Sequence, residues 1–510
     1  MADRQPESQT EETGRVLQPG KSCWRVEHAN RFGFIVDAEN YFVAARQAML
    51  QARQSILLLG WDFDPRITFG EPEDGQPESL GEFILWLADR SPKLEIRLLR
   101  WDTGALKTLF CWRSLLAVAR WARHPRITLR LDGKHPFAGS QHHKIVVIDD
   151  RVAFCGGIDM TVGRWDTRQH LDHDPRRKGP DGEDLKPWHD ATSVFDGAAA
   201  HAVGDLARER WRIVTGETLP VSTGGQDCWP QGAEPSFHDM RLGIARTLPK
   251  MDDIRPVHEI EEAYLSLIAR ARHVIYAESQ YFASRKVAHA LAMRLVEEDG
   301  PEIVVINPVS AEGWLEPVAM DTARARLVEA LQRLDRKGRF RLYHPVTEAQ
   351  EPIYVHAKVT VVDESALRVG SSNFNNRSLR LDTECDVILS TDEVGNEGLH
   401  DEILRLRNDL LAEHLGVSAQ EIGDHITQTG SLIATIEALR LRGGRTLVPY
   451  KMPELSGVEE WLADNEILDP HGPDEIFEAP HRRGLFKGWA ALRTGMHDLN
   501  QKRKKHFSKK

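Results

Sequence analysis

Two histidine–lysine pairs carry the chemistry written into this chain. At 142–149 it reads His-His-Lys-Ile-Val-Val-Ile-Asp, and at 356–363 His-Ala-Lys-Val-Thr-Val-Val-Asp. Each copy is His-x-Lys, four mostly apolar residues, then Asp. Residues two apart on a strand share one face, so each copy offers an imidazole and an ammonium to a common cleft while the apolar run anchors the strand. Two His and two Lys are enough to work on one phosphodiester. A neutral His attacks phosphorus and forms a phosphohistidine. A protonated His gives its proton to the leaving alkoxide. The lysines neutralise the non-bridging oxygens and the five-coordinate transition state. Two in-line displacements predict net retention at phosphorus. The scheme requires no metal, and no cofactor is expected.

The elements around the two copies repeat as well. A helical pattern at Tyr41–Arg53 leads into the apolar run Ser55–Leu59 and then Gly60-Trp61-Asp62. Glu259–Arg272 leads likewise into His273–Ala277 and Glu278-Ser279-Gln280-Tyr281. Leu94–Leu99 matches Ile303–Ile306. Ile127–Leu131, ending near His135-Pro136, matches Phe340–Tyr343, ending at His344-Pro345. From His142 to His356 is 214 positions, a domain-sized period. Short β-rich runs alternating with helical patterns give an α/β class, with two similar domains facing one another. The boundaries read as a disordered tail 1–22, a first domain 23–222, a linker 223–238 within a Gly/Pro/Ser-containing stretch, a second domain 239–415, and a helical C-terminal extension 416–510 with a basic tail. Asp172–Lys186, crowded with Asp, Arg, Lys, Gly and Pro, reads as an inserted, mobile loop.

Bulk properties bound the function. At 510 residues the chain accommodates two or three domains. Its formal charge is −11, from 66 basic and 77 acidic residues, which argues against a broad nucleic-acid-binding surface. The five cysteines (Cys23, Cys111, Cys155, Cys228, Cys385) are scattered, form no Cys-x-x-Cys and fit a reducing compartment. The polar, acidic N-terminus has no apolar signal region, and the longest apolar runs are strand-length. A cytoplasmic protein, soluble or peripheral to a membrane, is the expectation.

The doubled pattern resembles the phospholipase D superfamily, over roughly Trp24 to Leu415. In the first half, Cys155-Gly156-Gly157-Ile158-Asp159, Gly163-Arg164-Trp165-Asp166 and Pro187-Trp188-His189-Asp190 resemble the G-G-x-D, G-R-W-D and P-W-H-D blocks of the branch acting on phosphatidylcholine-type lipids. In the second, Glu278-Ser279-Gln280-Tyr281-Phe282, Gly370-Ser371-Ser372-Asn373, Asn376-Arg377-Ser378 and Asp382-Thr383-Glu384 also fit the family. Gly157 and Asp159 stand where many superfamily members carry Ser and Asn, a departure the phosphatidylcholine branch shares. The resemblance implies two domains, each a mixed β-sheet flanked by helices, with the active site at their interface. It implies that His142, Lys144, His356 and Lys358 line that site, that Asn373 lies near the phosphate, and that Asp190 and Glu384 orient the two histidines. By analogy with the bacterial lipid enzymes, His142 is the nucleophile and His356 the general acid. Gly156, Gly157, Ser371, Trp188 and Trp165 are read as substrate-binding, the glycines by letting backbone approach a phosphate. Asp149 and Asp363, an odd number of residues beyond each Lys, face away from the cleft and read as structural.

Other residues invite functional readings with plain alternatives. His143 should point to the opposite strand face from His142. His135 and His344 occupy equivalent positions as pocket walls or paired turns. Trp61 and Asp62 belong to the cleft mouth or to packing; Arg164, Trp165 and Asp166 contact a head group or brace the following loop; and Cys155 is a small buried thiol. Leu485, Trp489, Leu492, Met496 and Leu499 fall on one helical face, flanked by Arg482-Arg483 and a polybasic end; residues 482–510 suit either an anionic membrane surface or packing on the body. The expected function is cleavage of the distal phosphodiester of a glycerophospholipid, by a monomer, with no nucleic-acid partner. The alternatives are a cardiolipin-synthase-like transferase, a nuclease, and a non-catalytic lipid-binding protein.

Overall fold

The computed structural model describes residues 15–102, 112–251, 254–311 and 320–452. The strands of the first half are β1 (Arg25–Val36), β2 (Ser55–Gly60), β3 (Glu95–Trp101), β4 (Ile127–Asp132), β5 (Ile145–Ile148), β6 (Val152–Gly156), β7 (Trp188–His189) and β8 (Ala191–Asp196). Those that follow are β9 (Phe237–Leu248), β10 (Val257–His258), β11 (Val274–Glu278), β12 (Glu302–Ile306), β13 (Phe340–Val346), β14 (Tyr354–Val355), β15 (Val359–Val362), β16 (Ala366–Gly370), β17 (Glu384–Ser390) and β18 (Thr446–Pro449).

Both halves run the same path. The first is ordered β1-β8-β6-β5-β2-β3-β4 and the second β9-β17-β16-β15-β11-β12-β13. In each, three strands pair in parallel (β2, β3, β4; β11, β12, β13) and the rest antiparallel, so both are mixed sheets. The two sheets are joined edge to edge. β1 and β9 pair antiparallel from Arg25↔Ile244 to Phe32↔Phe237, making one continuous sheet across the repeat. Joining at β1 and β9 also covers two edges that would otherwise stay open.

Alternation along the motif strands explains why they read as unbroken apolar runs. Leu57, Leu59, Ile145 and Val147 point into a core shared with Val359, Val361, Val369 and Val387 of the other half. Their neighbours Ile56, Leu58, Val146 and Ile148 pack on the helices Ala38–Leu50 and Leu80–Arg90. In the second half Ile275, Ala277 and Val362 pack on the helices Glu259–Arg270 and Arg285–Leu295. Strands buried on both faces need apolar residues at every position. The shared core also takes in the helices Gly197–Thr215 and His400–Leu415.

Three sequence expectations are corrected. The tail is not disordered as far as residue 22: Val16 and Leu17 are buried against the second half's helices, and the Ser22 hydroxyl donates to Val16 O at 2.6 Å. The loop Asp172–Lys186 is knit down rather than mobile. Arg177 is buried and donates to Leu185 O, Asp166 Oδ1 and Leu171 O, and Lys178 and Asp184 bridge across the loop. The extension beyond 415 is not wholly helical. After the helices Ala419–Thr429 and Leu432–Leu439, capped by Ser418 and Ser431, β18 adds an antiparallel edge strand to β13. Residues 482–510, with the amphipathic stripe and basic end, and Cys111 lie outside the described residues. No helix among the described residues is long and apolar enough to cross a membrane.

Candidate active site

The two motif strands β5 and β15 begin just after Lys144 and Lys358, so each His-x-Lys sits at a strand entrance where the ladder has not closed. Contacts between the halves fix both histidines. His142 N donates to Thr383 O at 3.0 Å, and its Nδ1 lies 2.9 Å from both carboxylate oxygens of Glu384. His356 N donates to His189 O at 2.8 Å, and its Nδ1 lies 2.6 Å from Asp190 Oδ2. A carboxylate that accepts from Nδ1–H selects the tautomer with the lone pair on Nε2. Each half therefore supplies the orienting carboxylate for the other half's imidazole. Asp190 follows β7, and Glu384 opens β17.

Burial and positive charge set the protonation of these groups. Burial pushes His142 well below the ordinary histidine value, and Lys144 and Lys358 push it the same way. His356 is lowered by burial, then by Lys358, Arg164 and Lys144. Lys358 is lowered to about 7, chiefly by burial, with Asp190 pulling upward and Lys144 pushing down. The four motif side chains thus feel one another electrostatically, as a common site demands.

The two lysines are not equivalent. Lys144 Nζ lies 3.2 Å from Asp159 Oδ2 and donates to His142 O at 3.1 Å. Asp159 is itself held by Trp61 N at 2.8 Å. The second half has Asn373 at the matching place, and its amide group donates to Gln280 Oε1 at 3.4 Å. The Lys358 ammonium donates to His356 O.

The glycine readings are corrected. A Cβ on Gly157 would stand 2.2 Å from Asp190 Oδ1, and one on Gly156 2.3 Å from Thr192 Cα. Their amides donate to Ala191 O at 2.9 Å and Lys144 O at 3.4 Å. The glycines admit the segment that carries Asp190; they do not hold amides open for a phosphate. Ser371 is corrected too. It is fully buried, its hydroxyl donates to Glu384 Oε2, and its role is to hold that carboxylate. Trp188 stacks on Tyr354 at 4.5 Å between ring centres and lies 5.2 Å from the His356 ring, with the Arg164 guanidinium over it at 4.1 Å. It walls the His356 side of the site. Trp165 is elsewhere: it lines a cavity of about 810 Å³ with Glu39, Phe42, Arg66 and Arg176, which none of the four motif residues lines.

Asp149 and Asp363 do the same structural work in the two halves. Asp149 accepts from the amides of Arg53, Gln54 and Ser55 at 2.7–2.8 Å, and Asp363 from those of Arg272, His273 and Val274 at 2.7–2.8 Å. Each closes the helix-to-strand turn that precedes the motif's neighbour strand. Both sit at positive φ, 49° and 50°, where Asp is among the better-tolerated non-glycine residues. His143 is buried with neither ring nitrogen hydrogen-bonded. His135 Nε2 meets Asp102 Oδ1 at 3.1 Å, whereas His344 Nδ1 meets Asn307 O at 3.2 Å, so the equivalent positions differ in use. Sequence reasoning missed Thr383 O as the anchor of His142 and the buried His–carboxylate cluster beneath Asp190; each joins residues too far apart in the chain to be paired by spacing.

A family model described as cardiolipin synthase, PLD-like domain, matches residues 264–402. Phospholipase D1 of Saccharomyces cerevisiae is 24% identical, over 75% of this chain and 28% of its own length. Phospholipase D alpha 1 of Carica papaya is 24% identical, over 72% and 63%, and phospholipase D2 of Bos taurus 21%, over 71% and 49%. The chain therefore spans less than two thirds of each of these three relatives. Among solved structures, phosphatidylserine synthase of Haemophilus influenzae aligns with a TM-score of 0.50 at 13% identity, over 80% of this chain and 95% of that one, and shares its fold. Doubled sheets meeting at two cross-oriented His-x-Lys pairs, together with these relatives, make the chain similar to the phospholipase D superfamily and support its place there.

Proposed function

We propose that the protein is a phospholipase D or phosphatidyltransferase that cleaves the distal phosphodiester of a glycerophospholipid. The observation that carries this reading is the crossed pair of imidazoles, each with Nδ1 on a buried carboxylate of the other half. His142 Nε2 attacks phosphorus; the N–P bond forms as the P–O bond to the head group breaks, and His356 protonates the departing oxygen. An incoming phosphodiester anion opposes the lysine charges and so favours the imidazolium that His356 needs as an acid. Water or an alcohol then gives its proton to His356 while its oxygen displaces His142 from phosphorus. Phosphatidic acid or a transphosphatidylated lipid leaves. Lys144 and Lys358 hold the non-bridging oxygens throughout. The G-G-x-D, G-R-W-D and P-W-H-D blocks favour the phosphatidylcholine branch, at a peripheral membrane surface.

The test is incubation with phosphatidylcholine vesicles plus ethanol. Phosphatidylethanol that disappears in His142→Ala and His356→Ala is the expected result. Cleavage of single-stranded DNA without lipid turnover would overturn it. The family model matching 264–402 supports a second reading, transfer between two phosphatidylglycerol molecules. Cardiolipin formed from phosphatidylglycerol vesicles, with no phosphatidylethanol from phosphatidylcholine, would select it.

A further inference from the structure

Beneath the orienting carboxylate of His356 lies a second cluster that the proposed reaction does not use. Asp37, His170, His189 and Glu413 are fully buried, and one ligand atom from each lies within 4.8 Å of the others. They come from the end of β1, the segment after Asp166, β7, and the helix His400–Leu415. We infer that they form a structural site for a divalent transition ion of the zinc type, clasping the two halves together.

The separations fit. Glu413 Oε1 is 2.8 Å from His189 Nδ1 and 3.1 Å from His170 Nε2; Asp37 Oδ1 is 3.4 Å from His189 Nδ1, and Asp37 Oδ2 is 3.6 Å from His170 Nε2. A tetrahedral zinc ion with bonds of about 2.0–2.1 Å puts its ligands roughly 3.3–3.4 Å apart, near the middle of that range. The outward ring atoms are held as metal-bound histidines usually are. His170 Nδ1 meets Asp166 Oδ2 at 2.9 Å, and His189 Nε2 meets Glu278 Oε2 at 2.8 Å.

Charge points the same way. Four carboxylates (Asp37, Asp166, Glu278, Glu413) gather here, and the guanidinium groups touching them are Arg168, at Glu413 Oε2, and Arg177, at Asp166 Oδ1. Two imidazolium rings could meet the remaining negative charge, with Arg445 also acting on Asp37, Asp166 and Glu413, but both rings direct their inward hydrogen bonds to the same Glu413 oxygen. That leaves Asp37 Oδ2 buried with no hydrogen-bond partner. A divalent ion at the centre meets all four inward atoms at once. It also rigidifies Asp190, whose amide donates to Asp37 Oδ1 at 3.0 Å and whose carbonyl accepts from Asp37 N at 2.8 Å.

Because the cluster is sealed, the ion must enter as the chain folds. The full chain is therefore produced in zinc-supplemented and in cobalt-supplemented medium and purified without chelator. The expected result is about one metal ion per chain and, for cobalt, the intense visible bands of a tetrahedral nitrogen–oxygen site. Those bands should disappear in Asp37→Asn and in His170→Gln. Should either variant fail to fold, the wild-type chain is refolded from denaturant in zinc and in EDTA, and zinc should raise Tm by about 5 °C or more. A metal-free wild-type chain with the same Tm from both refolding buffers would overturn the site in favour of a proton-balanced cluster. Cobalt bands that persist in both variants would overturn the ligand assignment. None of these readouts uses lipid turnover, so they stand whatever reaction the active site performs.

Discussion

His356 is held at Nδ1 by Asp190, a residue 166 positions earlier in the chain, at 2.6 Å. The mirror relationship, His142 on Glu384 at 2.9 Å, spans 242 positions in the other sense. Neither half can present a correctly oriented imidazole alone. The proposed reaction therefore depends on the joint between the halves, made by β1 on β9 and by their shared core.

Removing the orienting carboxylates should cost turnover more than binding. Asp190→Asn and Glu384→Gln keep the shape but remove the carboxyl group that faces Nδ1. We expect kcat for the lipid substrate to fall by about 10²–10⁴ with KM changed less than about threefold. A proportional loss in KM instead would assign these residues to substrate binding.

The two histidines should separate on a substrate with an activated leaving group. A p-nitrophenyl phosphodiester needs little proton donation, so His356→Asn should retain measurable release of nitrophenolate while His142→Asn loses it. Equal loss in both would remove the nucleophile and acid assignment. Burial and the lysines lower His142, and the neutral ring is the reactive one. Rate should therefore rise with pH through a limb below 6.5, not at or above it.

Lys358 should be a liability for stability. Its folded value of about 7 lies below the unfolded 10.5, so between these the unfolded chain binds a proton that the folded chain has released. Stability from this group accordingly rises with pH from about 7 toward 10.5 and is lost as pH falls through 7. Lys358→Met should stabilise the protein at pH 6 by roughly 1–3 kcal/mol, less than the full shift because Met does not reproduce the lysine's hydrogen bond to His356 O. The same variant should be inactive. Urea titration at pH 6 and pH 9 checks it: the gain should shrink at the higher pH.

Asp149 and Asp363 should behave as fold residues. Each carboxylate satisfies three consecutive backbone amides, and Ala leaves those amides without a partner. Asp149→Ala or Asp363→Ala should cost roughly 2–4 kcal/mol in chemical denaturation, with activity per folded molecule retained at low temperature. A stable but inactive variant would return the residue to the catalytic machinery.

The sequence alone determined the repeat, the strands and the pairs that do chemistry, because these are local. A period of two puts His142 with Lys144, and His356 with Lys358, on one face. Runs such as Ile-Val-Val-Ile must be buried on both sides, and the odd spacing already turned Asp149 and Asp363 away from the site. What local pattern could not decide was which partner each group meets. By residue type Gly156 and Gly157 suit phosphate contacts, but Thr192 and Asp190 fill the space a side chain would need. Ser371 suits a substrate ligand by type, yet its hydroxyl donates to Glu384. Trp165 lines a cavity that Trp188 does not, although both belong to blocks of the same family pattern. The cluster of Asp37, His170, His189 and Glu413 is scattered over 377 positions. Only the closing of one half on the other brings such residues within a few ångströms, and electrostatics and hydrogen bonding act over those distances rather than along the chain.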